Sequence, residues 1–140
     1  MTNAPLNGLI LAGGRSSRLG FDKNSLQFHG KPQPEYLAEI LKPFCKQVFI
    51  SSRIELNELV IPVLTDYFTI EGPLNGLLTA FRHKPDTAWL TVPVDMPNVD
   101  TRLIKVLIEG RNPKKNCYLF LRFNRHKPRT AAYHLGTRCI

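Results

Sequence analysis

The sequence is short of cysteine, has no long apolar run and carries no acid in its last thirty residues. Its three cysteines, Cys45, Cys117 and Cys139, lie far apart and never in CxxC spacing. That excludes a disulfide scaffold and a zinc site of the usual spacing, and it fits a reducing compartment. No stretch approaches the ~20 apolar residues a membrane-spanning helix needs. No basic segment followed by an apolar run opens the chain, as a secretory signal would. The expectation is a cytoplasmic protein with no membrane partner. Internal repeats and low-complexity stretches are also missing. His29, His83, His126 and His134 have no metal-ligand spacing and read as surface or structural residues.

What is present is enough for one folded domain: 140 residues, 43% apolar and 21% charged. The net charge of +8 is unevenly placed. Residues 1–110 are charge-balanced, whereas 111–140 hold eight Lys and Arg and no Asp or Glu. A basic tail fits nucleic-acid or membrane-surface contact. It equally fits a solvated surface or a segment foreign to the fold, and charge alone does not choose. Tyr118, Phe120 and Phe123 stand among these cations, a mixture single-strand binders use, but a buried strand over 117–123 (CYLFLRF) explains them as well. Nucleic acid is therefore not an expected partner.

Leu6 to Ala12 (LNGLILA) reads as a buried strand entering a turn at Gly13-Gly14. Tyr36, Leu37, Ile40, Leu41 and Phe44 keep helical spacing over 34–44. Residues 47–52 (QVFISS) and 60–64 (VIPVL) predict two strands, with Pro62 pushing the latter to an edge or bulge. Leu74, Leu77, Leu78 and Phe81 mark one face of a helix opened by Pro73. Residues 87–94 (TAWLTVPV) predict a buried strand with Trp89 in the core. Asp100 caps a helix carrying Leu103, Ile104, Leu107 and Ile108, which Gly110 stops. Alternating strands and helices predict an α/β fold with a parallel sheet between helical layers. The organised domain is read as 1–110, and 111–140 as a basic, divergent or truncated tail.

In such sheets ligands bind beyond the carboxyl ends of the strands. The loop there after the first strand, LAGGRSSRLGFDK (11–23), combines three glycines, two hydroxyls and the cations Arg15, Arg18 and Lys23. Glycines let backbone N–H groups close on an anion, and the cations suit phosphate oxygens. The order is neither a Walker A loop nor a GxGxxG fingerprint. A plain glycine-rich turn explains the glycines alone; the added cations directly after an apolar strand favour phosphate binding. The second candidate is VPVDMP (92–97), where Asp95 either holds Mg²⁺ on phosphate oxygens or caps a turn. Asp66 and EGPLNG (71–76) are weaker signals when read alone.

Taken in order, LAGGRSSRLGFDK, the HGKP of 29–32, the VFISSR of 48–53, the GPLNGLLTA of 72–80 and the PVDMP of 93–97 make a pattern. The chain resembles the molybdenum cofactor guanylyltransferases, the MobA-like branch of the nucleotidyltransferases, over roughly residues 6–109. The resemblance implies a Rossmann-like three-layer sandwich of nucleotidyltransferase type with a mostly parallel sheet, here C-terminally shortened. It implies an enzyme that transfers GMP from GTP to molybdenum-bound molybdopterin and releases pyrophosphate, with hand-over of the product to molybdoenzymes or their chaperones. Leu11, Ala12, Gly13, Gly14, Arg15, Lys23, Asp66 and Asp95 match the nucleotide-binding positions. Arg18, Lys23 and Asp95 are the catalytic candidates, and Asp95 is the Mg²⁺ ligand. The family's base contact at the end of the second strand falls at Ile50, Ser51 or Ser52, where no Asn stands. The tail lacks the family's later Asn-Thr-Pro-like segment, so impaired acceptor binding is expected. Two alternatives stand beside this reading: another nucleotidyltransferase using CTP or a sugar phosphate, and a non-catalytic nucleotide-binding domain.

Overall fold

The computed structural model describes residues 5–12, 30–53, 60–70, 72–94, 96, 99–110 and 118–120. Their elements run β1 (Leu6–Leu11), α1 (Gln33–Leu41), β2 (Val48–Ser52), β3 (Val63–Thr65), α2 (Pro73–His83), β4 (Ala88–Pro93), α3 (Thr101–Glu109) and β5 (Tyr118–Phe120). The five strands form one sheet in the order β3-β2-β1-β4-β5, and every described pairing is parallel. β1, β2 and β4 are covered on both faces, which is why they read as continuous apolar runs rather than as alternating patterns.

Side-chain alternation divides the core into two layers. Leu6, Ile10, Ile50, Leu90 and Val92 face α1 and α3, packing with Leu37, Leu41, Ile104 and Leu107. Leu9, Leu11, Phe49 and Trp89 face the other way, against Ala80 of α2. The result is the expected three-layer α/β architecture. Trp89, Leu9, Ile10 and Leu90 are fully buried, each contributing about 1.5–3 kcal/mol through burial of side chains of this size. His83 packs edge-on against Phe49 at 5.5 Å between centroids, a structural role. Among the described residues no helix is long and apolar enough to cross a membrane.

Three local features differ from, or refine, the pattern in the sequence. α1 ends at Leu41 rather than Phe44, because Pro43 has no N–H to donate back to the preceding turn. β3 is a three-residue edge strand that begins after Pro62. The carbonyl of Pro62 still accepts from the N–H of Ile50 at 2.9 Å, so the proline costs the sheet no bond on that side. The larger correction concerns α2. Its leucine stripe is not the buried face: Leu74 is 50% exposed, while Asn75, Gly76, Thr79 and Ala80 lie against the sheet. The small residues allow a close approach, and Leu77 and Phe81 pack only at the margin of that layer. α3 follows the expectation: Asp100 Oδ1 accepts from the N–H of Leu103 at 2.9 Å, and Gly110 is the C-cap. Such a cap is worth about 1 kcal/mol. Beyond residue 110, β5 extends the sheet by pairing with β4 from Trp89–Tyr118 to Thr91–Phe120.

Candidate functional site

In this strand order the direction of winding reverses between β1 and β4, and the crevice at their carboxyl ends is where an open parallel sheet binds ligands. The backbone tightens that edge by carrying the ladder one bond past each strand. The N–H of Ala12 donates to the carbonyl of Ser51 at 3.0 Å, that of Val94 to Leu11 at 3.0 Å, and that of Asp66 to Ser52 at 2.9 Å. Leu11, Ala12, Ser51, Ser52, Asp66 and Val94 therefore share one end of the sheet. Of the residues singled out from sequence, Leu11, Ala12 and Asp66 are placed together there. Gly13, Gly14, Arg15, Arg18, Lys23 and Asp95 lie outside the described residues.

Asp66 is the described carboxylate at this edge. The hydroxyl of Ser51 donates to its Oδ1 at 3.3 Å. Partial burial raises its pKa above the ordinary carboxylate value, while the Ser51 hydrogen bond and the charge of Arg53 act to lower it. Because the folded-state pKa is the higher one, the group's stabilising contribution is complete below the unfolded value and is lost as pH rises through the folded value. Stability is thus expected to fall over the mildly acidic range just above ordinary carboxylate titration. Asp66→Asn should flatten that slope and be no less stable at neutral pH, as read from urea midpoints. A slope that survives in Asp66→Asn would assign it to another group.

The second-strand candidates separate on burial. Ile50 is fully buried among the core residues of the α1 layer and is not available to a ligand. Ser51 and Ser52 stand closer to the edge, and the Ser51 hydroxyl is already committed to Asp66.

The chain after Asp66 is held by two residues of α2 that carried little signal in the sequence. Thr79 Oγ1 accepts from the N–H of Tyr67 at 3.1 Å, and Asn75 Oδ1 accepts from that of Phe68 at 3.2 Å. The Asn75 amide nitrogen donates to the carbonyls of Phe68 and Ile70 at 2.6 and 2.9 Å. Arg82 then stacks 3.7 Å above the ring centre of Tyr67. The available clue was an Asn set one residue before a Gly within a helix, where neither is a favoured residue. Gly72 opens α2 with φ 89°, a conformation that favours glycine. At Gly76 an added Cβ would lie 2.3 Å from Ser51 Oγ and 2.9 Å from Leu11 Cδ2. Gly76 is what lets α2 reach the site edge.

No strong nucleophile stands among the described residues here. Cys45 is on the far side of the sheet ends, and burial pushes its thiol up to about 12, which keeps it protonated and inert. It lines a cavity of about 520 Å³ with Glu35, Glu39, Lys42 and Ile61, where β2 and β3 begin. That cavity lies at the opposite end of the sheet from Asp66, and its two glutamates are balanced by Lys42 and Lys46. No cluster of three His, Cys, Asp or Glu occurs among the described residues. Carboxylate and hydroxyl oxygens are the donors at the Asp66 edge, hard ligands that suit Mg²⁺ rather than a soft metal. Mg²⁺ needs only one or two protein carboxylates beside phosphate oxygens and water; the carboxylate expected to hold it, Asp95, lies outside the described residues.

Comparison with known proteins agrees with this architecture. A relative from Synechocystis sp., described as a molybdenum cofactor biosynthesis bifunctional protein, is 34% identical over 114 residues, covering 77% of this chain and 32% of the relative. The molybdenum cofactor guanylyltransferase of Xanthomonas euvesicatoria is 36% identical over 105 residues, covering 74% of this chain and 54% of that protein. The chain thus spans about a third of the first relative's length and about half of the second's. The crystal structure of molybdopterin-guanine dinucleotide biosynthesis protein A from Archaeoglobus fulgidus has the same fold, with a TM-score of 0.56 at 23% identity, over 72% of this chain and 53% of that one. The model of the MobA-like NTP transferase domain matches residues 8–139, from within β1 to the penultimate residue, and on that match the chain belongs to the MobA-like NTP transferase family.

Proposed function

We propose that this chain is the nucleotide-binding part of a nucleotidyltransferase that moves GMP from GTP to the terminal phosphate of molybdenum-bound molybdopterin. The observation that carries the reading is where β1 ends. Its last residues, Leu11 and Ala12, lie at the switch point of the sheet, joined by backbone bonds to β4 and β2, and the glycine- and cation-rich segment starts there. Family membership and the relatives' names favour molybdenum cofactor and guanine as the chemistry.

In the reaction an oxygen of the acceptor phosphate attacks the α-phosphorus of GTP. A new phosphoanhydride bond forms, the bond between the α-phosphorus and the β-bridging oxygen breaks, and pyrophosphate leaves with the electron pair. No covalent enzyme intermediate is needed. The chain's contribution is positioning and charge compensation. Backbone N–H groups from Gly13 and Gly14 receive phosphate oxygens, and Lys23 with Arg15 or Arg18 offsets charge on the departing pyrophosphate. Asp66 accepts from donors of the guanine or ribose, its carboxylate oriented by Ser51. Asp95 would hold Mg²⁺, which when bound neutralises the phosphates. The test is transfer of label from GTP labelled at the α-phosphorus to molybdopterin, with pyrophosphate released in equal amount. Labelled acceptor, formed slowly in keeping with the impaired acceptor binding expected from the sequence, is the expected result; pyrophosphate release without labelled acceptor would contradict the transferase reading.

A further inference from the structure

Gln33, the first residue of α1, has no role in the site as described so far, yet its environment is unusual. Its side chain is fully buried. Its Nε2 donates to the carbonyl of Met96 at 3.2 Å, across 63 positions of sequence. Its Oε1 is buried with no hydrogen-bond partner. The orientation of the amide follows from its neighbour, because a backbone carbonyl only accepts, so the nitrogen must face it. An apolar side chain of similar size would remove the unpaired Oε1 but would leave the carbonyl of Met96 without this donor. A residue that pays this penalty inside a helix needs a reason beyond packing.

The reason lies in what Met96 follows. Asp95 stands directly before it in the sequence, and Val94 directly before that. The N–H of Val94 donates to the carbonyl of Leu11 at 3.0 Å. The chain on either side of Asp95 is therefore tied down, on one side by Leu11 and on the other by Gln33. These two anchors flank the glycine-rich segment: Leu11 is where the chain leaves β1 for it, and Gln33 is where the chain emerges into α1. Val94 and Val99 are also buried in the layer beneath α1, which fixes the segment from below. Each end of the glycine-rich segment thus holds one neighbour of the acid. Consecutive Cα atoms are only ~3.8 Å apart, so the two anchored residues, Val94 and Met96, each stand one residue from Asp95 in the sequence.

We propose that Gln33 is a positioning residue for the proposed Mg²⁺ site: by clamping the carbonyl of Met96 it ties the chain next to Asp95 in sequence to the start of α1. The clamp is a statement about these described residues; its consequence for Mg²⁺ rests on the nucleotide reading above. Losing a group that orients a metal ligand typically weakens metal binding ~10–100-fold.

The test uses the full chain with Gln33→Met and Gln33→Leu, two substitutions of similar volume, so that poor packing in one does not stop the experiment. Without nucleotide, amide hydrogen exchange at Val94, whose N–H is bonded to Leu11, is expected to quicken about tenfold or more once Met96 is released. Exchange at Leu90 and Ile104 should not change, and the melting temperature should change little, because the variant loses the bond to Met96 together with the orphaned Oε1. With GTP, the Mg²⁺ concentration for half-maximal nucleotide binding is expected to rise ~10–100-fold, with Mg²⁺-free GTP affinity unchanged. Unaltered exchange at Val94 would overturn the clamp. Faster exchange with an unaltered Mg²⁺ requirement would overturn the positioning role, as would unfolding of both variants. Wild-type protein that binds no GTP at any Mg²⁺ concentration would contradict the nucleotide reading, and the exchange result would still decide the clamp.

Discussion

Asp95→Ala is expected to lower Mg²⁺-dependent pyrophosphate release by ~10²–10³-fold or more, the usual cost of losing one preorganised electrostatic contact to a developing charge. The protein should stay folded. Val94 is anchored through its backbone N–H and Met96 through its carbonyl, and neither bond involves the Asp95 side chain. Circular dichroism and the urea midpoint should therefore match the unaltered chain while turnover collapses. Turnover that persists in Asp95→Ala would remove this acid from the mechanism.

Gly76→Val is expected to be the most damaging change to the site made at a residue outside the proposed nucleotide contacts. Even a methyl group at this position would meet Ser51 Oγ at 2.3 Å and Leu11 Cδ2 at 2.9 Å. Neither neighbour yields easily: the Ser51 hydroxyl is bonded to Asp66, and Leu11 is packed in the α2 layer. The helix must move off the sheet, at about 1–3 kcal/mol for overpacking of this kind. The Ser51–Asp66 bond would be lost with it. Chemical denaturation measures the loss, and Leu74→Ala, on the exposed side of α2, supplies a control with little expected change. A wild-type midpoint for Gly76→Val would contradict the close approach of α2.

The α2 result also shows where the sequence stops being legible. β1 and β4 could be read directly, because a strand buried on both faces is a short apolar run bounded by turn residues. Asp100 and Gly110 announced the limits of α3, and Pro62 announced an edge. In α2 the same periodicity rule picked the larger residues, Leu74, Leu77, Leu78 and Phe81. Packing instead selected the small ones, because the distance of the helix from the sheet was set by Gly76. Local pattern carries no information about that distance. Leu11 and Ala12 stood out with the glycine-rich segment and Asp66 through the family resemblance alone, and the sheet brings these three to one edge. The supports of the site did not stand out. Asn75 and Thr79 act on a preceding loop, and Gln33 acts on a segment 63 residues away. Such bonds exist only once the topology has brought both partners together.

The basic stretch shows the same limit. Over 111–140 the charge offered several readings, yet residues Tyr118–Phe120 within it pair with β4. Charge describes what a segment presents to solvent; it says little about whether its backbone joins a sheet.

The measurement that bears most directly on the central claim is a calorimetric titration of the folded chain with GTP, CTP, UTP and ATP, each with and without Mg²⁺. The account requires saturable binding of one GTP per chain, tightened by Mg²⁺, and weaker binding of the other three. Loss of that Mg²⁺ effect in Asp95→Ala would tie it to the proposed acid. A folded sample that binds no GTP, or that binds CTP more tightly, would contradict the account.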